Sequence, residues 1–260
     1  MGQPQGEFWS QPTDTPDTDP HTAIILAGAR EIIWSAENAR DRSQQRVPGP
    51  SQLGSECERS LAYTILGYRP VNHTADKWQA HVGTAVHASL ASAYERADNN
   101  SGRYLVEHRV SMTTPQGIVV SGSLDIYDRL TGVVIDWKLP GSSSRKKYAR
   151  NGPPKGYRIQ AHLYAYGLEL AGESPKRVAN IYLPPEGRLD DAVAWSESYD
   201  RRIAQTALKR LEKIIVTVGG DARNIKSIPK TVTVLCRWCS FYMPNSPDTI
   251  VGCQGAEGPF

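Results

Sequence analysis

The stretch Ser121–Lys138, SGSLDIYDRLTGVVIDWK, constrains this chain more than any other. Two runs rich in β-branched and aromatic residues, Ile118–Tyr127 and Val133–Leu139, flank the polar turn Asp128-Arg129-Leu130-Thr131-Gly132, the pattern of a β-hairpin. A two-residue loop and a four-residue loop centred on Leu130-Thr131 give the same register, in which Asp125 faces Asp136. Like charges directly opposite one another destabilise a sheet, so the pairing needs a compensating group. A bound divalent cation is the simplest. Asp136 and Lys138 are two apart on one strand and emerge on the same face, which brings two carboxylates and an ammonium to one place. Oxygen ligands of that kind suit Mg²⁺ or Mn²⁺.

Asp-x-Lys alone is a common tripeptide, and on a wet strand it is ordinary surface charge. Here Val133, Val134, Ile135 and Trp137 give the segment the composition of a buried strand. A carboxylate buried without a partner is costly, which favours a site over a solvated face.

A chain of 260 residues makes one large domain or two small ones. Its 39% hydrophobic and 22% charged residues are those of a soluble globular protein. The net charge of +3 does not by itself demand nucleic acid, so any basic surface must be local. No apolar run approaches the ~20 residues that span a bilayer. The opening MGQPQGEFWSQPTDTPDTDPH lacks the basic region and apolar core of a secretory signal, so no membrane association and a cytoplasmic location are expected. In a reducing compartment Cys57, Cys236, Cys239 and Cys253 read as metal ligands more readily than as disulfides.

Residues 1–21, rich in Pro, Thr, Asp and Gln, read as a disordered lead-in, and 22–260 as one domain. Thr22 to about Gln44 has helical periodicity and is broken by Val47-Pro48-Gly49-Pro50. Ser51 reads as an N-cap for a helix over Gln52–Leu66 that carries Cys57, and Asp76 opens a long helix to about Ala97. Tyr104–Met112 is a strand before the hairpin, Gly141–Gly156 a loop, and Tyr157–Ala171 a helix. Strands over Arg177–Leu183 and Val193–Tyr199 precede a helix capped by Asp200 and running to Val218. Helices, a strand meander, a helix, strands and a helix imply an α/β fold with a mixed central sheet flanked by helices.

His87, alone on a small-residue helix face, is by itself an ordinary packed histidine, and Gln160 and Tyr164, four apart on one helix face, are an ordinary amphipathic boundary. Trp137–Leu168 contains no acidic residue but holds Arg145, Lys146, Lys147, Arg150, Lys155 and Arg158, interleaved with Tyr148 and Tyr157. Directly after a carboxylate strand, a cationic segment with aromatics suits a phosphate backbone and stacked bases. Cys236-Arg-Trp-Cys239 is a bidentate metal hook, and with Cys253 and the distant Cys57 it fits either a Cys₄ zinc site or an iron–sulfur cluster. A zinc ribbon usually has two such hooks, so the asymmetry favours a cluster that staples the two ends of the chain.

In this order, the Ser-x-Leu-x₃-Cys segment ending at Cys57, His87, the Gly-Ser-Leu-Asp segment ending at Asp125, Asp136-Trp137-Lys138, Gln-x₃-Tyr at Gln160 and Tyr164, and the three C-terminal cysteines form a known pattern. The chain resembles the RecB-like branch of the PD-(D/E)xK nuclease superfamily, in particular the CRISPR-associated and phage-encoded exonucleases with a [4Fe–4S] cluster. The match runs from Ser51 to Cys253. The resemblance implies a restriction-endonuclease-like core with a cluster region formed by residues 51–67 and 231–260. It implies Mg²⁺ or Mn²⁺ bound by His87, Asp125, Asp136 and the Trp137 carbonyl, and Lys138 positioning or deprotonating the attacking water. Gln160 and Tyr164 would contact DNA or hold the site together, and Glu107 is an auxiliary acid. Cys57, Cys236, Cys239 and Cys253 would hold the cluster in a structural role. The implied activity is hydrolysis of phosphodiester bonds from single-stranded DNA ends, with homo-oligomerisation left open. Two features depart from the pattern: the gap from Cys239 to Cys253 is longer than usual, and the Thr22–Gln44 helix has no counterpart.

Overall fold

In the computed structural model, which describes residues 20–38, 47–72 and 78–255, the hairpin forms with the four-residue loop. Strands β2 (Val119–Asp128) and β3 (Val133–Lys138) pair antiparallel through Ile126↔Ile135, Tyr127↔Val134 and Asp128↔Val133. Gly132 takes the left-handed conformation, φ 71°, that closes the turn. Asp128 clamps it, accepting from Leu130 N–H at 3.1 Å, Thr131 Oγ1 at 2.9 Å, and Arg103 Nε and Nη2 at 2.9 Å each.

The hairpin is the middle of a five-stranded sheet in the order β1-β2-β3-β4-β5, with β1 (Tyr104–Thr113), β4 (Arg177–Tyr182) and β5 (Val193–Ser198). Only the β3–β4 pair is parallel, because the helical segment between those strands carries the chain back across the sheet. The expected mixed α/β architecture is the one observed.

Helix α4 (Trp78–Asp98) covers one face, where Val86, Leu90 and Tyr94 pack on Ile126, Trp137 and Leu183. Helices α6 (Lys155–Leu170) and α7 (Arg201–Val218) cover the other, with Leu163, Leu168, Leu208 and Leu211 against Val110, Met112, Val120 and Leu124. Helix α6 lies close to the sheet because Gly167 has no side chain: a Cβ there would meet Val110 Cβ at 2.7 Å. Asp200 caps α7 by accepting from Arg202 N–H, as the sequence predicts.

Two segments differ from the sequence expectation. The helix expected over Gln52–Leu66 is two, α2 (Pro50–Leu53) and α3 (Glu58–Ile65), with Cys57 at the N-cap of the second. The break is a tertiary contact: a Cβ on Gly54 would lie 2.3 Å from the Gly156 carbonyl oxygen, so the two backbones touch where side chains are missing. The basic segment expected as a loop is helix α5 (Ser142–Asn151), which ends at Gly152 with φ 79°. It buries Arg145, leaves Lys146, Lys147 and Arg150 exposed, and gives no apolar stripe by which sequence periodicity could reveal it.

The chain divides into two compact units, 1–43 and 44–260. Of the first, helix α1 (Pro20–Asn38) is described, and it exposes Ile24, Ile25, Leu26, Ile32 and Trp34. The lead-in expected over residues 1–21 lies outside the described residues except for its last two positions, which open α1. Among the described residues no helix is long and apolar enough to cross a membrane.

Candidate active site

Continuing the β2–β3 register one step beyond Ile126↔Ile135 sets Asp125 against Asp136. On the other side of β2, between the pairs Val106↔Ile126 and His108↔Leu124, Glu107 is the position facing Asp125. Three neighbouring strands thus set residues 107, 125 and 136 in one row across the sheet. Glu107 has φ 45°, left-handed backbone inside a strand, which costs a non-glycine residue about 1–3 kcal/mol. The side-chain alternation changes at the same place. Tyr104 and Val106 pack toward α4, whereas Val110 and Met112, of the same parity, pack toward α6. Across the ladder Ile126 packs toward α4 and Leu124 toward α6. The row of acids therefore lies on a kink where both strands turn over.

Asp125 is claimed from the α4 side. Its Oδ1 lies 3.2 Å from His87 Nδ1, and its Oδ2 accepts from the Trp137 backbone N–H at 2.7 Å. The Asp125 hydrogen bond raises the His87 pKa against the opposing effect of burial. One ligand atom each from His87, Glu107 and Asp125 lie within 4.8 Å of one another. This mixed imidazole and carboxylate set fits a divalent cation that accepts oxygen with some nitrogen.

Asp136 is claimed from the α6 side and is 1% exposed. Its Oδ2 meets Lys138 Nζ at 2.6 Å and Asn180 Nδ2 at 3.2 Å, and its Oδ1 accepts from Gln160 Nε2 at 3.0 Å. Gln160 closes the ring, since its Oε1 accepts from Lys138 Nζ at 3.0 Å while its Nε2 also reaches Tyr164 Oη at 3.3 Å. Burial pushes the Asp136 carboxyl up to about 6, with Lys138 pulling it down and Asp125 adding to the rise. Burial lowers the Lys138 pKa, but the Asp136 carboxylate outweighs it and holds the ammonium above its usual pKa. The buried pair is tolerable because every charged oxygen has a donor.

The structure therefore clusters His87, Glu107 and Asp125, with the Trp137 backbone N–H on Asp125, and sets Asp136, Lys138, Gln160 and Tyr164 in a hydrogen-bonded ring on the other side. Asp136, expected among the cation ligands, lies outside the cluster because Lys138, Gln160 and Asn180 hold its carboxylate. Asn180 was not anticipated. It pairs with Asp136 across the parallel β3–β4 ladder and is fully buried. A lone asparagine inside the apolar run Arg177–Tyr182 was its only signal. The basic residues are more dispersed. Lys146, Lys147, Arg150 and Lys155 are exposed, Arg145 is buried, and Arg158 forms an ion pair with Glu197 at 2.5 Å. Tyr148 and Tyr157 are not splayed outward: Tyr148 packs on Tyr182 with ring centroids 5.2 Å apart, and Tyr157 lies under Lys138.

All four cysteines line one cavity of about 420 Å³. Its walls come from both ends of unit 44–260, through Cys57 and Ser60 and through Cys236, Cys239 and Cys253, and from Tyr148 and Tyr157 between them in the chain. Helix α3 and the C-terminal segment share a core of Leu61, Ala62, Tyr63, Ile228 and Phe241. Hydrogen bonds from Arg59 Nε to the Ile228 carbonyl at 2.9 Å and from Asn72 Nδ2 to the Cys239 carbonyl at 2.9 Å tie them further. Four soft sulfur donors line this space, the donor type that thiolate-bound clusters and soft ions take.

No family model matches the sequence, and no curated protein is significantly similar to it. Among solved structures the chain is similar to the protein SSO0001, with 14% sequence identity, 84% of this chain and 94% of that chain covered, and a TM-score of 0.49. It is also similar to an alkaline exonuclease, LHK-Exo, from Laribacter hongkongensis, with 13% identity, 76% and 96% covered, and a TM-score of 0.46. A phage-related exonuclease from Haemophilus somnus 129PT has 11% identity, 65% and 80% covered, and a TM-score of 0.38.

Proposed function

We propose that this chain is a Mg²⁺- or Mn²⁺-dependent deoxyribonuclease of the RecB-like PD-(D/E)xK type, acting as an exonuclease on single-stranded DNA ends and carrying a structural [4Fe–4S] cluster. The observation that carries the reading is the row of Glu107, Asp125 and Asp136 on a strand kink, with His87 on one side and the Lys138–Gln160 pair on the other. Like charges are gathered there at the expense of backbone strain, which a fold without a cation to hold has no reason to do.

His87, Glu107 and Asp125 would hold the cation, with Asp136 and the Trp137 carbonyl beside it. A divalent ion held by these residues would supply positive charge and lower the pKa of a bound water. Lys138 presents a fixed ammonium where negative charge builds on the phosphoryl oxygens. Its partners Asp136 and Gln160 keep it charged and aimed, so little reorganisation is needed at the moment of reaction. Tyr164 and Asn180 hold Gln160 and Asp136 in turn. Lys146, Lys147 and Arg150, exposed on α5 directly after the carboxylate strand, supply counter-charge for a DNA backbone. The preference for free single-stranded ends rests on the family resemblance, and the choice of cluster over zinc rests on that resemblance and on the single Cys-x₂-Cys hook.

The test is digestion of end-labelled linear and of circular single-stranded DNA with Mn²⁺ or Mg²⁺. We expect label released from linear DNA only, and none in EDTA. DNA bound but left intact under all metals would overturn the reading in favour of a binding protein.

A further inference from the structure

An ammonium carries three donors. Two of those of Lys138 are accounted for, by Asp136 Oδ2 at 2.6 Å and Gln160 Oε1 at 3.0 Å. A third contact is the ring of Tyr157, whose centroid is 4.8 Å from Nζ. A cation over an aromatic face is attracted by the ring quadrupole, and more strongly when water is excluded. The Lys138 side chain is only 16% exposed.

Tyr157 is itself fixed. It stands in the first turn of α6, next to Gly156, whose backbone is pressed against Gly54. Tyr148 meets it edge to face with ring centroids 6.1 Å apart, and Tyr148 leans on Tyr182, which is fully buried. Tyr157 also lines the thiol cavity, so part of it faces that space while Lys138 and Tyr148 hold the ring. The face turned to Lys138 is taken by the ammonium and is not open to a stacking base.

We propose that Tyr157 is a positioning residue for Lys138: its aromatic face, not its hydroxyl, completes the surroundings of the ammonium and holds it toward the reacting phosphate. This rests on the nuclease reading above. It assigns the tyrosine of the basic segment to the reaction centre instead of to DNA stacking.

The test uses the full chain with Tyr157→Phe and Tyr157→Leu, assayed with Mn²⁺ on end-labelled single-stranded DNA. Tyr157→Phe keeps the ring and should stay within about twofold of the unaltered chain. Tyr157→Leu should lose about tenfold in kcat with KM unchanged. A second readout needs neither metal nor DNA. In protein labelled with ¹³C-lysine, the ε-methylene of Lys138, assigned by its loss in Lys138→Met, should be ring-current shifted upfield. The shift should persist in Tyr157→Phe and vanish in Tyr157→Leu. Equal losses in the two variants would overturn the proposal by giving the work to the hydroxyl. A raised KM with unchanged kcat in Tyr157→Leu would overturn it in favour of DNA contact, and so would a Lys138 signal without an upfield shift. If the unaltered chain cuts no DNA, the nuclease reading falls, and the ring-current shift decides on its own whether Tyr157 holds Lys138.

Discussion

Removing Lys138 strands Asp136, whose carboxyl is buried and already pushed up to about 6. Breaking a buried ion pair from one side typically costs about 3–5 kcal/mol, and Asp136 would take up a proton to escape it. We therefore expect Lys138→Ala to lose both cleavage and several degrees of melting temperature. Lys138→Met, which keeps the volume, should lose cleavage with a smaller fall. Asp128 offers a pH test away from the reaction centre. Hydrogen bonds from Arg103, assisted by Thr131 and Leu130 against the opposing effect of burial, hold its carboxyl down at about 2, from an ordinary 3.8. A depressed carboxylate stabilises the fold fully above its unfolded pKa and ceases to do so as the pH falls through its folded pKa. Asp128→Asn should thus cost about 1–2 kcal/mol at pH 6, with Arg103 half in water reducing the effect. In thermal melts the gap from the unaltered chain should close between pH 4 and pH 2. A gap that stays constant across that range would remove the ion pair from the account of the hairpin turn.

Helix α6 carries Tyr157, Gln160 and Tyr164, so its placement sets the site. Its first turn is fixed by the Gly54–Gly156 contact, and Gly54→Ala would force a methyl to within 2.3 Å of a carbonyl oxygen that cannot rotate away. We expect about 2 kcal/mol of lost stability or more, and a fall in cleavage beyond what unfolding explains, because α2 and α6 must part. Elements of this kind separate what the sequence displays from what it hides. The hairpin and its register were legible, because strand alternation and turn chemistry are local. So were α4, α6 and α7, whose apolar stripes are local, and the Asp200 cap of α7; Asp76, expected to open α4, lies outside the described residues. The break between α2 and α3 was not, since it depends on a glycine in another helix. Helix α5 was not, since Ser142–Asn151 has good helix formers but no apolar face. Left-handed Glu107 and the pairing of Asn180 with Asp136 across a parallel ladder depend on neighbouring strands, which local patterns cannot display.

On the scale of the molecule, unit 44–260 is tied end to end. Segments around Cys57 and around Cys236–Cys253 share a core and a cavity on which all four cysteines open. Cys236→Ala should mainly lower solubility and melting temperature instead of altering cleavage by the folded fraction. Protein purified without oxygen should be brown and contain iron and sulfide. A colourless, zinc-containing protein would replace the cluster by an ion while leaving the stapling intact. The net charge of +3 says little about DNA, and the local placement of Lys146, Lys147 and Arg150 says more. All of this depends on a cation joining the acids that the strand kink gathers. The most direct measurement is a crystal of the chain soaked in Mn²⁺ and recorded at the manganese absorption edge. The expected result is an anomalous peak in contact with Asp125 and reached by His87 and Glu107. Well-ordered carboxylates with no peak between them, under conditions where Mn²⁺ is bound elsewhere or not at all, would contradict it.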